Sequence, residues 1–200
     1  MRYSLILVLS VLGLCAAGSA RGQESGLAFL RIGTNAAAQA LGDAGVAFSR
    51  DAFATYWNPA GLAATPDHMA GLALHRWAGD VETYGLAARF RLGERQGAGL
   101  FVTATGSGDL EAREQPGPPE GFFDVQFLSV GAAYGMALGP VRVGATVKWL
   151  TERIFAQQAS GAAVDLGLQA DVPGDLIRVG LAYQNLGKMS RLNAERTELP

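Results

Sequence analysis

The chain has 200 residues, of which 49% are hydrophobic and only 17% are charged, with 27 glycines and a single cysteine. This hydrophobic content excludes a disordered protein, because disorder requires low hydrophobicity and a high net charge. The net charge of −2, without a basic tail, argues against a nucleic-acid partner. One cysteine cannot form a disulfide framework.

Residues 1–22 are arranged like a secretory signal peptide. Arg2 supplies a positive start, Leu5–Leu14 form an apolar core, and the small residues Gly18–Ala20 precede the expected cleavage point. The core is shorter than the roughly 20 apolar residues that a spanning helix needs, and no later segment is apolar enough for one. We therefore expect residues 1–22 to direct export and to be removed, together with the only cysteine.

Residues 67–200 alternate between apolar and polar side chains, which is typical of β-strands. Between Val81 and Leu92, for example, Leu86 and Phe90 share one face, whereas Thr83 and Arg89 lie on the other. The alternation predicts seven strands, near residues 69–78, 81–92, 97–105, 122–137, 141–151, 161–172 and 176–187.

The length of these strands favours a membrane barrel. A tilted membrane strand needs about 9–11 residues, whereas strands of soluble proteins average about five or six. Tight turns at Leu138–Pro140 and Pro173–Asp175, together with a long loop predicted at Gly106–Gly121, resemble the alternating connections of outer-membrane barrels. The prediction is an all-β fold, a transmembrane antiparallel β-barrel. A soluble β-sandwich, whose strands also alternate, stays open as the alternative.

Two local features accompany this pattern. The apolar positions are odd up to Phe127 and even from Val130, which predicts a β-bulge near Leu128 and Ser129. Four aromatic residues at or near strand ends are either interface girdles or ordinary aromatics. They are Trp77, Phe101, Trp149 and Tyr183.

Residues 23–66 lack this alternation and form a separate N-terminal segment rich in alanine and glycine. Asp51 is placed to cap a short helix that runs through Tyr56 and Trp57. Pro59 cannot continue that helix, and it favours an extended conformation at Asn58. Two further glycines are interpreted as positions where the backbone is crowded, namely Gly42 and Gly45.

Three stretches of this segment resemble the PorV/PorQ family of bacterial outer-membrane proteins, which is related to the FadL-type long-chain fatty-acid transporters. They are Phe29–Gly33 (FLRIG), Ala40–Phe48 (ALGDAGVAF) and Tyr56–Leu62 (YWNPAGL). Further along, Tyr183–Gly187 (YQNLG) and Glu198–Pro200 resemble a mid-barrel segment of the same family.

The resemblance implies a FadL-like barrel of about fourteen strands in the outer membrane of a Gram-negative-type bacterium. This chain would cover about the first half of that barrel, as residues 67–200, with residues 23–66 forming a helical and coil hatch. The implied hatch motif is Tyr56, Trp57, Asn58, Pro59, Ala60 and Gly61, and the implied hatch glycines are Gly33, Gly42 and Gly45.

The family also implies a function in type IX protein secretion, in which the barrel shuttles or docks secreted cargo. Outer-membrane lipid and secretion-system proteins or their cargo are the implied partners. Two alternatives remain open: a FadL-like transporter of a hydrophobic ligand, and a soluble periplasmic β-sandwich that binds a partner.

The number of strands indicates that the barrel is unfinished. Seven is odd, and an open sheet edge in lipid leaves backbone groups without hydrogen bonds at a cost of several kcal/mol each. We expect either that the chain is the first part of a longer barrel or that it is an eight-stranded barrel with one unrecognised strand.

No catalytic constellation is recognised in the sequence, and we expect the protein not to be an enzyme. His68 and His75 are the only histidines and have no clustered acids beside them, so no metal site is predicted. Gly106–Glu111 lacks the third glycine of a dinucleotide-binding loop. No cofactor is expected.

Overall fold

Seven antiparallel strands form one sheet in which each strand pairs with its neighbours in the sequence, in the order β1 to β7. The structure is a computed structural model. It describes residues 27–42, 44–65, 67–77, 80–112, 117–172, 177–192, 195, 196 and 199, and the predicted signal peptide 1–22 and the predicted turn at 173–175 lie outside them. The strands are β1 (Met69–Arg76), β2 (Val81–Gly93), β3 (Gln96–Ala112), β4 (Gly121–Leu138), β5 (Val141–Ile154), β6 (Gln157–Asp171) and β7 (Arg178–Met189).

Short helices precede the sheet, and a small hairpin follows it. The α-helices are α1 (Ala36–Ala40), α2 (Gly45–Phe48) and α3 (Ala54–Trp57), and the 3-10 helices are Ala28–Arg31 and Pro59–Ala63. Strands β8 (Arg191–Leu192) and β9 (Glu195–Arg196) form the hairpin. Among the described residues, no helix has the length and apolar composition required to cross a bilayer.

The seven predicted strands are present in the structure, but the predicted loop Gly106–Gly121 begins too early, and residues 106–112 belong to β3. Strand β3 continues to Ala112, and its last residues pair with the start of β4. The register shifts between Ser107 and Leu110, where glycines interrupt the strand. Glycine is common in turns and loops, so the sequence alone predicts a loop here, whereas in this strand it marks an irregularity in the pairing.

The predicted bulge at Leu128 and Ser129 is also wrong. Strand β4 pairs with β5 in one unbroken register from Val125 to Leu138. Its odd residues face the covered side of the sheet throughout. The apolar pattern changes because the covered side is itself apolar at one end, where the Phe127 ring stacks on Phe29 with centroids 4.7 Å apart.

The two faces of the sheet have the opposite polarity to those of a soluble protein. Large apolar side chains on one face are exposed, and we call this the outward face; examples are Leu86 (56%), Leu100 (54%), Val147 (62%) and Trp149 (56%). On the other, inward face, polar side chains are buried: Thr83, Arg89, Thr103, Thr105, Ser129, Thr146, Lys148, Asp165 and Gln169.

The N-terminal segment covers the inward face. Tyr56 and Trp57 form one hydrophobic cluster with Phe101 of β3 and other buried residues. Phe101 is therefore an interior residue, 3% exposed, and the girdle interpretation is wrong for it. Its ring meets Tyr56 edge-on at a centroid distance of 6.1 Å. The inward polar face of the sheet is thus buried mainly by the short helices of the N-terminal segment.

Candidate functional site

The chain bends at Asn58, between helix α3 and the second 3-10 helix. Asn58 has an extended backbone (φ −161°, ψ 104°), as predicted for a residue before proline. Its Oδ1 accepts a hydrogen bond from the N–H of Ala60 at 3.1 Å and so caps the 3-10 helix, in which Pro59 is the first residue. Local interactions therefore favour this bend.

The Asn58 amide also connects the bend to three other parts of the chain. The side chain is fully buried. Its Nδ2 lies 2.8 Å from the carbonyl oxygen of Val46, 3.1 Å from that of Leu168 and 3.3 Å from that of Leu181. Two N–H groups are thus shared among three carbonyl oxygens in a buried site, where losing the donor removes a hydrogen-bond partner from each oxygen.

A transverse row of four glycines lies beneath the bend, and we call it the glycine row. The strand register pairs Gly97 with Gly135, Gly135 with Gly144, and Gly144 with Gly167, across β3 to β6. A Cβ atom at any of these four positions would lie closer than 3.0 Å to an atom of residues 58–62. The absence of side chains along this row is what lets the backbone of the bend lie directly on the sheet.

The glycines of the N-terminal segment have different functions in the structure. A Cβ on Gly45 would lie 2.5 Å from the Trp57 ring, so this position is crowded as predicted. Gly61 is crowded by the backbone of Ser49. Gly42 has open space around it and instead adopts a left-handed φ of +64°, so the prediction of crowding is wrong there. Gly33 is buried, and its carbonyl oxygen accepts a hydrogen bond from Gln39 Nε2 at 2.8 Å.

Tyr56 and Trp57 anchor the residues that precede α1. The Tyr56 hydroxyl lies 2.7 Å from the carbonyl oxygen of Leu30 and 3.0 Å from that of Ile32. Trp57 Nε1 donates a hydrogen bond to Asn35 Oδ1 at 3.0 Å. Both aromatic residues of the motif thus use a polar atom as well as a buried ring, as aromatics at such positions usually do.

Asp51 caps the approach to α3 rather than the helix itself. Its Oδ1 accepts a hydrogen bond from the N–H of Phe53 at 3.0 Å, and Phe53 precedes the first helical residue. The predicted capping residue therefore lies two residues before the N-cap position, which Phe53 occupies. The carboxylate is shared, because it also accepts hydrogen bonds from Ser49 and Asn35.

A bulge in β7 supplies a further contact to the bend, and the sequence pattern did not predict it. Gln184 and Asn185 together lie opposite Asp165, because the register shifts between Val164 and Leu166. Asn185 has a positive φ of 64°, which asparagine tolerates better than most residues. The bulge turns Gln184 inward, where its Nε2 lies 2.8 Å from the carbonyl oxygen of Tyr56.

Next to this bulge lies a buried ion pair. Lys148 Nζ is 2.8 Å from Asp165 Oδ1, and the two side chains are 4% and 1% exposed. The same carboxylate oxygen accepts a hydrogen bond from the backbone N–H of Asn185 at 2.7 Å, and Asn185 Oδ1 accepts one from Lys148. Removing either charge from such a pair leaves the other buried and uncompensated, which is strongly destabilising.

Two more inward polar residues contact the N-terminal segment. Gln169 Nε2 donates to the carbonyl oxygen of Val46 at 3.0 Å, and Thr146 Oγ1 donates to that of Thr55 at 3.2 Å. Alternation places these side chains on the inward face, but it does not identify their partners. The only indication of these contacts in the sequence is that polar residues share one face of the strands with the glycine row.

The structure shows no arrangement for metal chemistry in the described ranges of the chain, where no group of three or more His, Cys, Asp or Glu side chains could hold a metal ion. His75 Nε2 lies 3.1 Å from the carbonyl oxygen of Thr34, and its ring stacks on Trp77. The His75 ring therefore makes ordinary packing contacts.

One comparison with known proteins gives a match. A family model described as "Type IX secretion system protein PorV" matches residues 17–138, more than half of the chain. The matched region includes the bend and strands β1 to β4. No curated protein and no solved structure matches the chain.

Replacing Asn58 by aspartate tests the buried amide. Asn58→Asp keeps the shape but removes the donor that faces three carbonyl oxygens, so we expect the free energy of unfolding to fall by about 3 kcal/mol or more. Chemical denaturation followed by tryptophan fluorescence measures it. Gln96→Glu, the same chemical change at an exposed position, is the matched control. Equal stabilities of the two variants would contradict the assignment.

Replacing Gly144 by alanine tests the glycine row. The new Cβ would meet the backbone of Pro59 and Ala60, which cannot move without lifting the bend. We expect a loss of about 1–3 kcal/mol in unfolding free energy and faster proteolysis of residues 27–65. Gly108→Ala is the control, because nothing lies within 4 Å of a Cβ there. Identical proteolysis of both variants would show that the row does not hold the segment.

Proposed function

We propose that this chain, which belongs to the PorV family of type IX secretion system proteins, forms part of an outer-membrane β-barrel that takes part in protein secretion. In this proposal, residues 67–200 belong to the barrel wall, and residues 23–66 form a hatch inside it. Residues 1–22 direct the chain through the inner membrane. The barrel is of the FadL-like type, and it docks or shuttles secreted cargo together with other secretion-system proteins.

The observation that carries the proposal is the polarity of the sheet. Contiguous exposed apolar surface over seven strands would be a severe aggregation liability in water. In a bilayer the same surface contacts lipid instead of water, because barrel strands place apolar residues toward lipid and polar residues toward the lumen. The lengths also support it: β5 has 14 residues and β6 has 15, against the roughly 9–11 needed to span.

The edges of the sheet bear on the extent of the proposed barrel. Strands β1 and β7 have no partner on their outer sides within the described sheet. Backbone N–H and C=O groups cannot stay unpaired in the hydrocarbon region. The proposed barrel therefore includes further strands that pair with these two edges.

The soluble β-sandwich alternative is less well supported. It requires the apolar face to be buried against a second sheet. In the described part of the chain the outward face is exposed, and the inward face is covered by short helices. We therefore retain the barrel proposal.

A second candidate function is passage of a hydrophobic ligand, and one cavity favours it. The cavity has a volume of about 430 Å³ and lies between helices α1 and α2 and the start of β1. Its apolar wall contains Ala38, Leu41, Phe48 and Met69. Saturable binding of a long-chain fatty acid by the purified protein would favour this function over cargo docking.

Arginine substitutions at two depths test the membrane position of the outward face. Val147→Arg, in the middle of β5, should reduce the folding stability in lipid vesicles by about 2–4 kcal/mol, whereas Leu138→Arg at a strand end should cost about 0–1 kcal/mol. Both native side chains are exposed, at 62% and 55%, so in water neither change should matter by more than about 0.5 kcal/mol. Equal effects of the two variants would contradict the barrel.

Deletion of the gene in the source bacterium tests the secretory function. We expect secreted cargo to disappear from the medium, and an affinity-tagged copy to restore secretion and to copurify with other secretion-system proteins. The Gly108→Ala variant should restore secretion as the wild type does, whereas Asn58→Asp should restore less because the hatch is disrupted. Normal secretion in the deletion strain would contradict the proposal.

A further inference from the structure

Three arginines converge on one aspartate at the end of the inward face. Asp171, the last residue of β6, lies 2.7 Å from Arg50 Nη2, 2.7 Å from Arg142 Nη1 and 2.9 Å from Arg178 Nε. Arg50 comes from the N-terminal segment, Arg142 from β5 and Arg178 from β7. We call these four residues the arginine cluster.

The arginine cluster has a net positive charge. Three guanidinium groups surround a single carboxylate, which leaves two positive charges in excess among these four residues. The Asp171 oxygens already accept four close contacts, between 2.7 and 2.9 Å. A carboxylate has about four lone-pair sites, so this one is saturated.

Some nitrogen atoms of the arginine cluster donate no hydrogen bond. Nε and Nη2 of Arg142 and Nε of Arg50 are buried and have no hydrogen-bond partner. The Arg142 side chain is only 10% exposed. Nε and Nη2 form one edge of the guanidinium fork, which is suited to binding a planar or tetrahedral oxyanion in a bidentate manner.

The environment of Arg50 favours the binding of a further anion. Burial lowers the pKa of the Arg50 guanidinium below its usual value, and the charges of Arg142 and Arg178 lower it further. A second anion would relieve this repulsion. The Arg50 and Arg178 side chains are 26% and 27% exposed, so the cluster can be reached from solvent.

We propose that the arginine cluster binds a phosphate-type oxyanion. A phosphomonoester carries a charge of about −1.5 to −2 at neutral pH, which matches the two excess positive charges, whereas one more carboxylate would supply only half of it. The phosphate belongs either to a free phosphate compound or to a lipid headgroup. Phe48, whose ring lies 5.3 Å from the Arg178 guanidinium and is 49% exposed, adds apolar surface beside the site.

Titration calorimetry of the purified full-length chain at low ionic strength tests this site. The probes are inorganic phosphate, phosphatidic acid in mixed micelles, phosphatidylcholine micelles as the lipid control, and a polyglutamate peptide as the carboxylate control. Arg142→Gln and Arg178→Gln should each weaken phosphate binding by about tenfold or more. Arg76→Gln is the matched control, because Arg76 is 82% exposed and pairs with Glu82 outside the cluster.

The outcomes separate the alternatives. Phosphate binding that is lost in the two cluster variants and kept in the control supports the site. Tighter binding of phosphatidic acid than of phosphate then identifies a lipid headgroup as the source, and equal binding identifies a free phosphate compound. If Arg142→Gln does not fold, as judged by circular dichroism, Arg178→Gln decides. Absence of phosphate binding by the wild type, equal binding by all variants, or tighter binding of a polyglutamate peptide than of phosphate would overturn the proposal.

Discussion

The polar inward face of the sheet must find hydrogen-bond partners, and the rest of the structure depends on how it does so. Buried hydroxyl, amide and charged groups are costly unless they are paired. The sheet places such groups inward on most of its strands, with its apolar residues exposed on the other side. The N-terminal segment supplies partners for several of these groups, because its short helices leave carbonyl oxygens free to accept from Thr146, Gln169 and Gln184. Lys148 and Asp165 instead pair with each other.

The glycine row and the Asn58 bend solve one packing problem together. Backbone can approach a sheet closely only where side chains are missing, and the row removes them at the four positions beneath the bend. Close approach then brings the Asn58 amide within reach of carbonyl oxygens on β6 and β7. Part of the high glycine content is thus explained by the contact between the segment and the sheet rather than by turns.

The sequence predicted much of the fold, since alternation with period two identifies both the strands and their faces. Family membership was also predicted, and the PorV match confirms it. Two errors arose where glycine has more than one explanation, since it suggested the end of β3 at Gly106 and crowding at Gly42. The wrong bulge at Leu128 and Ser129 arose because the covered face is itself apolar near Phe127. The site was predicted only in part. Motif residues such as Asn58 could be identified from the sequence. The contact of Gln184 depends on a bulge in β7, which the alternation of apolar and polar residues does not indicate.

Contact between the outward face and hydrocarbon is the central claim, and fluorescence quenching by brominated lipid tests it most directly. Trp149 lies on the outward face and is 56% exposed, whereas Trp57 is 6% exposed beneath the bend. In vesicles with brominated acyl chains, a variant that keeps only Trp149 should be strongly quenched, and one that keeps only Trp57 weakly. Weak quenching of Trp149 by the lipid, combined with strong quenching by aqueous acrylamide, would contradict the account.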